Sequence, residues 1–474
     1  MRDFLINKLR AAKALRFDAS RPEAVNKVHS TGHLTARERI SHLLDPGSEV
    51  EFGAIAAKDS EGEWVPERGG VDFIGSINGH TVITSSTDYT DRGGGYGAAR
   101  LEHLISLSHQ ERWPIAFFVD GGGSRARHPR TGLGHLELSG QIGRFTLFDG
   151  MAELSGWAPT VAIVSGPSFA GHASLAGFSD MVIATSGSAI GMGGPPMVEA
   201  ALGLTLTPQE LAGVEMHERT GGIDLLVDDE PAAIQCAKQY LEFLWDQPEG
   251  QPHPFAQNIA ELVPESGPYD VLPVIQALVD TESVMELRPH FASSVVTALA
   301  RLDGKAIGVI ANNPAIDSGV ISESAATKIG RFVELCDVYE YPIVSLIDSP
   351  YTTIETPEGP KPGVSRWHTR VFQTQQRRTV PIASIQLREA GGFVGHLMAG
   401  SPTGHHVPLW QVAWPTAHLG VDDSFTATRN FDSFDDVIEP QETRSGLSRL
   451  LAHVAPSADR RAGQSTKKHN IDTW

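Results

Sequence analysis

The sequence predicts an α/β protein made of two similar halves, and three paired segments predict it. Residues 71–88 (VDFIGSINGHTVITSSTD) set two apolar runs about an Asn-Gly turn, and residues 296–313 (VTALARLDGKAIGVIANN) set two about Asp-Gly. Both are hairpin patterns, and their turn glycines, Gly79 and Gly304, lie 225 residues apart. Residues 99–112 have helical spacing and lead through Trp113-Pro114 into the apolar run IAFFVD, which ends at Asp120. Residues 327–340 lead likewise through Tyr341-Pro342 into IVSLID, ending 228 residues later at Asp348. Pro159 opens the run TVAIVSG and Pro381 opens IASIQLR, 222 residues on, each before a Gly-bearing turn and a helix-like stretch. One such pair would follow from any two β-α-β units. Three pairs in order and in register point to duplication.

The remaining segments fit around these halves. The stretch up to Gly53 reads as helices, with Thr35-Ala-Arg-Glu38 as a capping box before RISHLLD. Residues 245–268 (WDQPEGQPHPFAQNIAELVPESGP) are rich in Pro, Gln and Gly and break periodicity, which marks a link between domains. The expected division is therefore 1–245, a linker at 246–268, and 269–474. The tail from Ala455 onward is polar and is expected to be loosely held.

Composition narrows the function. Lys plus Arg number 38 against 57 Asp plus Glu, a net charge of −19 that repels nucleic-acid backbones and anionic lipid. The two cysteines, Cys236 and Cys336, exclude a disulfide framework and suit a reducing cytosol. No apolar run reaches the roughly 18 residues of a membrane span, and the basic start has no long apolar region of a signal peptide. A cytoplasmic protein without nucleic-acid or membrane partners is expected.

The chemistry is sought at the strand-to-helix turns. A helix start offers unpaired amides and partial positive charge, which can hold an anion or a developing oxyanion. Candidate turns are Gly166-Pro-Ser-Phe-Ala170-Gly171-His172 and Gly391-Gly392-Phe393-Val394-Gly395-His396. Either alone is equally a glycine permitting close helix–strand packing; their equivalence under the repeat favours function. The loop Asp91-Arg92-Gly93-Gly94-Gly95-Tyr96-Gly97 suits phosphates, a thioester cover or a plain connection, and it lacks the dinucleotide fingerprint. Asp120-Gly121-Gly122-Gly123-Ser124-Arg125 follows a strand directly, where glycines let chains pass closely and Arg125 can meet a carboxylate or phosphate. There is no P-loop, HExxH, CxxC or GxSxG, and the pair His405-His406 sits in a turn pattern with no metal role.

At this point the sequence resembles the carboxyltransferase (β) subunits of biotin-dependent acyl-CoA carboxylases, the propionyl-CoA and methylcrotonyl-CoA carboxylase group. The resemblance runs through LTARERISHLLDPGS (34–48), the ING hairpin, YTDRGGGYG (89–97), VDGGGSR (119–125) and SGPSFAGHA (165–173). It continues through GPYDVLPVI (267–275), VIANNP (309–314), KIGRFVELCDVYEYPIVSLID (328–348), AWPTAHLGV (413–421), FDDVIEPQETR (434–444) and KKHNI. Nearly the whole chain is covered.

The resemblance implies two tandem crotonase-like (ClpP/crotonase) β-β-α superhelix domains in a homo-oligomer, a trimer or dimer of trimers. It implies an active site between the N-domain of one subunit and the C-domain of another. Coenzyme A thioester would bind on the N-domain side, and biotin on a separate carrier would enter from the C-domain side, with a biotin carboxylase as further partner and no metal. Amides at Ala170, Gly171 and His172 would hold the thioester enolate, and amides at Gly392, Phe393 and Val394 the biotin ureido oxygen. His396, Gly122 and Gly123 would line the substrate pocket, and Arg92, Gly93, Gly94 and Gly95 would bind the cofactor portion.

The sequence departs from the family at His172, Phe393 and His396, where the family's residues differ. It also departs after Val421, where a family segment is missing before FDDVIEP, and in the loop after Asp348. Those two losses fall in the C-domain. Three readings follow: carboxyl transfer from carboxybiotin to an acyl-CoA, biotin-independent thioester chemistry (decarboxylation, hydrolysis or acyl transfer), or a non-catalytic paralogue in a mixed hexamer.

Overall fold

Two two-residue turns set the register of two sheets. Asn78 and Gly79, both at positive φ (51° and 81°), close the hairpin between β4 (Gly70–Ile77) and β5 (His80–Thr87). Asp303 and Gly304 (51° and 76°) close that between β13 (Val295–Leu302) and β14 (Lys305–Asn312) in the same way. Positive φ at both central positions gives the turn whose twist matches the strands, which is why the sequence carries Asn-Gly and Asp-Gly there. The likeness extends to hydrogen bonds. Asp45 accepts from the amides of Asn78 (3.0 Å) and Gly79 (2.8 Å), and Asp280 accepts from those of Asp303 (3.0 Å) and Gly304 (2.8 Å).

The computed structural model describes residues 1–53, 55–58, 64–66, 69–90, 98–122, 147–245, 247, 258–353, 363–401, 406–418 and 434–473. The chain divides into two units, Met1–Leu241 and Glu242–Trp474. The described part of the expected linker, Gln247 and the residues from Asn258 on, lies in the second unit, where Ile259 and Val263 join its core.

The first unit holds a seven-stranded sheet. It comprises β1 (Val50–Phe52), β4, β5, β6 (Ile115–Phe118), β7 (Thr160–Val164), β9 (Met181–Thr185) and β11 (Leu225–Val227), in that order. A separate pair, β2 (Ile55–Lys58) and β3 (Trp64–Pro66), is antiparallel, and β8 (Pro167–Phe169) pairs in parallel with β10 (Ala189–Gly191). The second unit repeats the seven-stranded order with β12 (Met285–Leu287), β13, β14, β15 (Ile343–Ser349), β16 (Ile382–Ala390), β17 (Trp410–Ala413) and β18 (Asp436–Val437). In both, two antiparallel pairings come first and four parallel pairings follow. The central strands read as unbroken apolar runs because both their faces are buried; every residue of β6, β7, β9 and β15 is buried.

The helix Glu323–Val338 is buried from Ala325 to Val338, charged residues included. Its sequence is amphipathic, so something must cover its polar stripe. Lys328 Nζ uses its three donors on the carbonyls of Arg288 (2.9 Å), Phe291 (2.9 Å) and Val295 (2.7 Å). Asp337 and Glu334 are covered by the C-terminal tail. Lys468 Nζ lies 2.6 Å from Glu340, His469 Nε2 lies 2.9 Å from Asp337, and the Asp472 amide donates to Glu334 at 2.7 Å. Ile471 is buried beside them. The expectation of a loosely held tail is therefore corrected. Its polar residues are polar because their partners are buried charges, a pattern that sequence alone reads as solvated.

Candidate functional site

In the first unit the candidate turn follows β7. Ser165 and Gly166 leave the sheet, β8 runs alongside β10, and the helix Gly171–Phe178 begins. Ala170 caps that helix at φ 54°, ψ −117°, a conformation that costs a non-glycine residue about 1–3 kcal/mol. Its own N–H donates to the Gly191 carbonyl at 3.1 Å, and its carbonyl takes the first helical bond, from Ser174 (2.9 Å). Ala170 thus turns the chain, and its amide is already committed. The amides that come next, at the helix start, are those of Gly171 and His172. Among the described residues no backbone carbonyl accepts from Gly171 N–H.

The His172 ring occupies the space into which a Cβ at position 121 would project. That contact explains the glycine at 121. Gly121 also accepts from Phe169 N–H (2.9 Å) and donates to Pro167 O (2.6 Å), which ties the loop after β6 to β8. Gly122 is exposed beside it, and Gly123 lies outside the described residues. Arg92, Gly93, Gly94 and Gly95 also lie outside them.

In the second unit the turn follows β16. Gly391 donates to Ser349 O (3.1 Å), and a Cβ on Gly391 would run into the Pro350 carbonyl. Gly392 adopts φ 60°, Phe393 follows at φ −92°, and Val394 N–H closes back onto Gly391 O at 3.2 Å. Val394, like Ala170, therefore has its amide committed within the turn. Among the described residues no backbone carbonyl accepts from the amides of Gly392 or Phe393. The Phe393 side chain is 59% exposed and meets Phe372 edge to face at 5.7 Å, with the exposed His396 ring 6.0 Å from Phe372 and 6.4 Å from Phe393. An aromatic wall thus borders the turn.

A cavity of about 570 Å³ opens in the first unit at the carboxyl ends of the parallel strands. It is lined by Thr87, the last residue of β5, and Asp88 to Thr90 beyond it, by Asp120 after β6, and by Gly166 and Pro167 after β7. The helix Pro22–Ser30 covers it with Ala24, Val25 and Val28 and brings Lys27 to its rim. Ligands of open parallel sheets bind outside these strand ends, where successive loops diverge. The cavity sits beside the start of the YTDRGGGYG motif and two residues short of β8's far end.

Beneath it lies a buried ion cluster. Arg39 reaches Asp120 (2.6 Å), Glu230 (2.5 Å) and Ser165 Oγ (2.9 Å). Burial opposes Glu230's charge, yet the His33 hydrogen bond and the Arg39 guanidinium bring its carboxyl down to about 2. The same His33–Glu230 hydrogen bond outweighs burial and raises the His33 imidazole above its ordinary range. Arg39 belongs to the TARER motif and Glu230 opens the helix Glu230–Glu242; sequence reasoning named neither. The arginine inside an otherwise amphipathic capping-box helix was the available signal. Nothing in the sequence near Glu230 marks it, because its partners lie 191 and 197 residues away.

These features agree with known proteins. The carboxyl transferase domain model matches residues 27–429. The chain is 31% identical over 419 residues to the methylmalonyl-CoA carboxyltransferase 12S subunit of Propionibacterium freudenreichii subsp. shermanii, covering 84% of this chain and 77% of that protein. A crystal structure of transcarboxylase 12S, described as a hexamer with methylmalonyl-CoA bound, superposes with a TM-score of 0.79 at 28% identity, covering 91% of each chain. A single-chain, multi-domain long-chain acyl-CoA carboxylase superposes at 0.83 with 31% identity over 94% of this chain, which spans half the length of that protein. Duplicated sheets, duplicated turns and a match across most of the chain agree: the chain belongs to the carboxyl transferase domain family.

Proposed function

We propose that the chain is the carboxyltransferase component of an acyl-CoA carboxylase. The observation that carries this reading is the pair of equivalent turns, each of which sets successive backbone amides beside a helix start after the same strand of a duplicated sheet. Carboxyl transfer to the α-carbon of a thioester passes through an enolate, whose oxygen gains negative charge. The amides of Gly171 and His172 would donate to that oxygen. They are fixed by the fold, so no reorganisation is needed when charge develops, and each such donor is worth on the order of 10²–10³ in rate. The CoA portion would extend into the cavity beside Tyr89, Thr90 and Lys27. In the second unit the Gly392 and Phe393 amides, beside an exposed aromatic face, fit a neutral urea-like ring with one carbonyl oxygen. When bound there, biotin on a separate carrier supplies the carboxyl group and a nitrogen base. The chain's own part is to hold two oxygens and to place their neighbours, and for that no side-chain nucleophile is needed. By likeness to transcarboxylase 12S, assembly as a hexamer is part of the proposal.

The test mixes the full chain with biotin carboxylase, a biotinylated carrier, ATP, labelled bicarbonate and a panel of short and branched acyl-CoAs. Acyl-CoA-dependent fixation of label is expected. Fixation by none of them would overturn the reading, and CO2 or thiol release from malonyl-type thioesters without biotin would replace it with biotin-independent chemistry. His172→Ala keeps the backbone amide, so kcat should change by less than about tenfold. A loss nearer the 10²–10⁴ typical of a missing acid or base would give the imidazole that role instead.

A further inference from the structure

We propose that Asp120 and Asp348 are positioning residues, one in each unit, whose carboxylates hold the strand end before each amide-bearing turn. Their catalytic consequence rests on the carboxyl-transfer reading above; their structural role does not.

Asp120 lies two residues past β6 and Asp348 is the next-to-last residue of β15, and each is buried, 3% and 2% exposed. Their two oxygens divide the same work. In the first unit Oδ1 accepts from the backbone N–H groups of Ser165 (3.0 Å) and Gly166 (2.9 Å), the residues just past β7. Oδ2 takes the Arg39 guanidinium (2.6 Å) and the Ser165 hydroxyl (2.9 Å). In the second unit Oδ1 accepts from Glu389 N–H (3.2 Å), near the end of β16. Oδ2 takes the Arg388 guanidinium (2.7 Å) and the Tyr269 hydroxyl (2.7 Å). The following residue adds a second hold. Gly121 O accepts from Phe169 N–H at 2.9 Å, and Ser349 O from Gly391 N–H at 3.1 Å. Two points of attachment, a carboxylate and the next carbonyl, thus fix the chain immediately before each turn.

The helpers differ between the units. Arg39 comes from the helix Ala36–Leu43 and Arg388 from β16 itself; one hydroxyl is a serine next to the turn, the other a tyrosine 79 residues away. Only the aspartate and what it does are the same. A carboxylate suits the task because it accepts at both oxygens. An asparagine offers one acceptor, so it would leave either the strand-end amides or the guanidinium without one. A displacement of the turn by an ångström is enough to spoil alignment with a developing charge.

The test uses Asp120→Asn and Asp348→Asn in the full chain, with hydrogen–deuterium exchange followed by mass spectrometry and, in parallel, the carboxylation assay. Asp120→Asn should speed exchange at least tenfold in peptides covering 165–174 and leave 382–397 unchanged; Asp348→Asn should do the reverse. With active wild type, kcat should fall tenfold or more while KM for acyl-CoA stays within about threefold for either variant. If Asp120→Asn does not fold, Ser165→Ala removes one bond to the same carboxylate, and Tyr269→Phe does so for Asp348; exchange at the matching turn should then rise a few-fold. Unchanged exchange in folded variants would overturn the proposal, as would localised exchange with kcat and KM both unaltered. A wild-type chain that carboxylates nothing would overturn the functional reading, while the exchange arm would still decide the role of the two aspartates.

Discussion

Two glycines four residues apart in the second unit predict opposite outcomes of one substitution. At Gly391 a Cβ would meet the backbone carbonyl of Pro350, and neither side can rotate away. Gly391→Ala should therefore cost about 2–3 kcal/mol, in the range of overpacked cores. Gly395 lies inside the helix Val394–Ala399 with nothing near its Cβ position, so Gly395→Ala should gain about 0.5–1 kcal/mol from helix propensity. Urea midpoints of the two variants check this, and equal shifts would refute the steric account. The glycines of this turn were legible in the sequence, but their separate reasons were not. Spacing shows that a turn needs glycine; only the partner carbonyl shows which glycine has no substitute. The same limit applies to Ala170 and Val394. The sequence placed both at the turns, and the structure gives their amides to Gly191 and Gly391.

Among elements, the helix Glu323–Val338 and the tail belong together. The polar stripe of the helix is legible as amphipathic periodicity, yet its cover is drawn from more than 120 residues downstream. Ending the chain after Gly463 would take the Lys468, His469 and Asp472-amide partners from Glu340, Asp337 and Glu334. Each carboxylate would keep a partner, Arg377 for Glu334, the Thr379 amide for Asp337 and Arg460 for Glu340, and would lose a charge-assisted bond worth about 1.5–3 kcal/mol. The truncated chain should melt several degrees lower. A truncated chain with an unchanged melting curve would show that solvent serves these groups as well as the tail does. Hairpins, by contrast, were fully legible: a two-residue turn is a local decision, and Asn-Gly and Asp-Gly settle it.

At the scale of the whole molecule, each unit draws stability from carboxylates held below their ordinary range. Glu230, about 2 against 4.5 when unperturbed, contributes about 3 kcal/mol above pH 4.5. That contribution fades as pH falls from 4.5 toward 2, because the unfolded chain takes up the proton first. In the second unit Asp337 behaves alike: burial opposes its charge, and His469, Lys468 and the Thr379 amide hold it well below the carboxylate range. The urea midpoint should therefore drop below pH 4.5, and Glu230→Gln should start lower and fall less steeply. A wild-type midpoint that stays flat to pH 3 would contradict the linkage. The duplication itself was legible in the sequence because three matched runs preserve order and spacing. The ion clusters were not, since they join residues with no shared period. Every described strand of the first seven-stranded sheet lies between residues 50 and 227, and every one of the second between 285 and 437. Neither sheet waits on the other for a strand, so during synthesis the leading half can finish its architecture on the ribosome while the trailing half is still being translated.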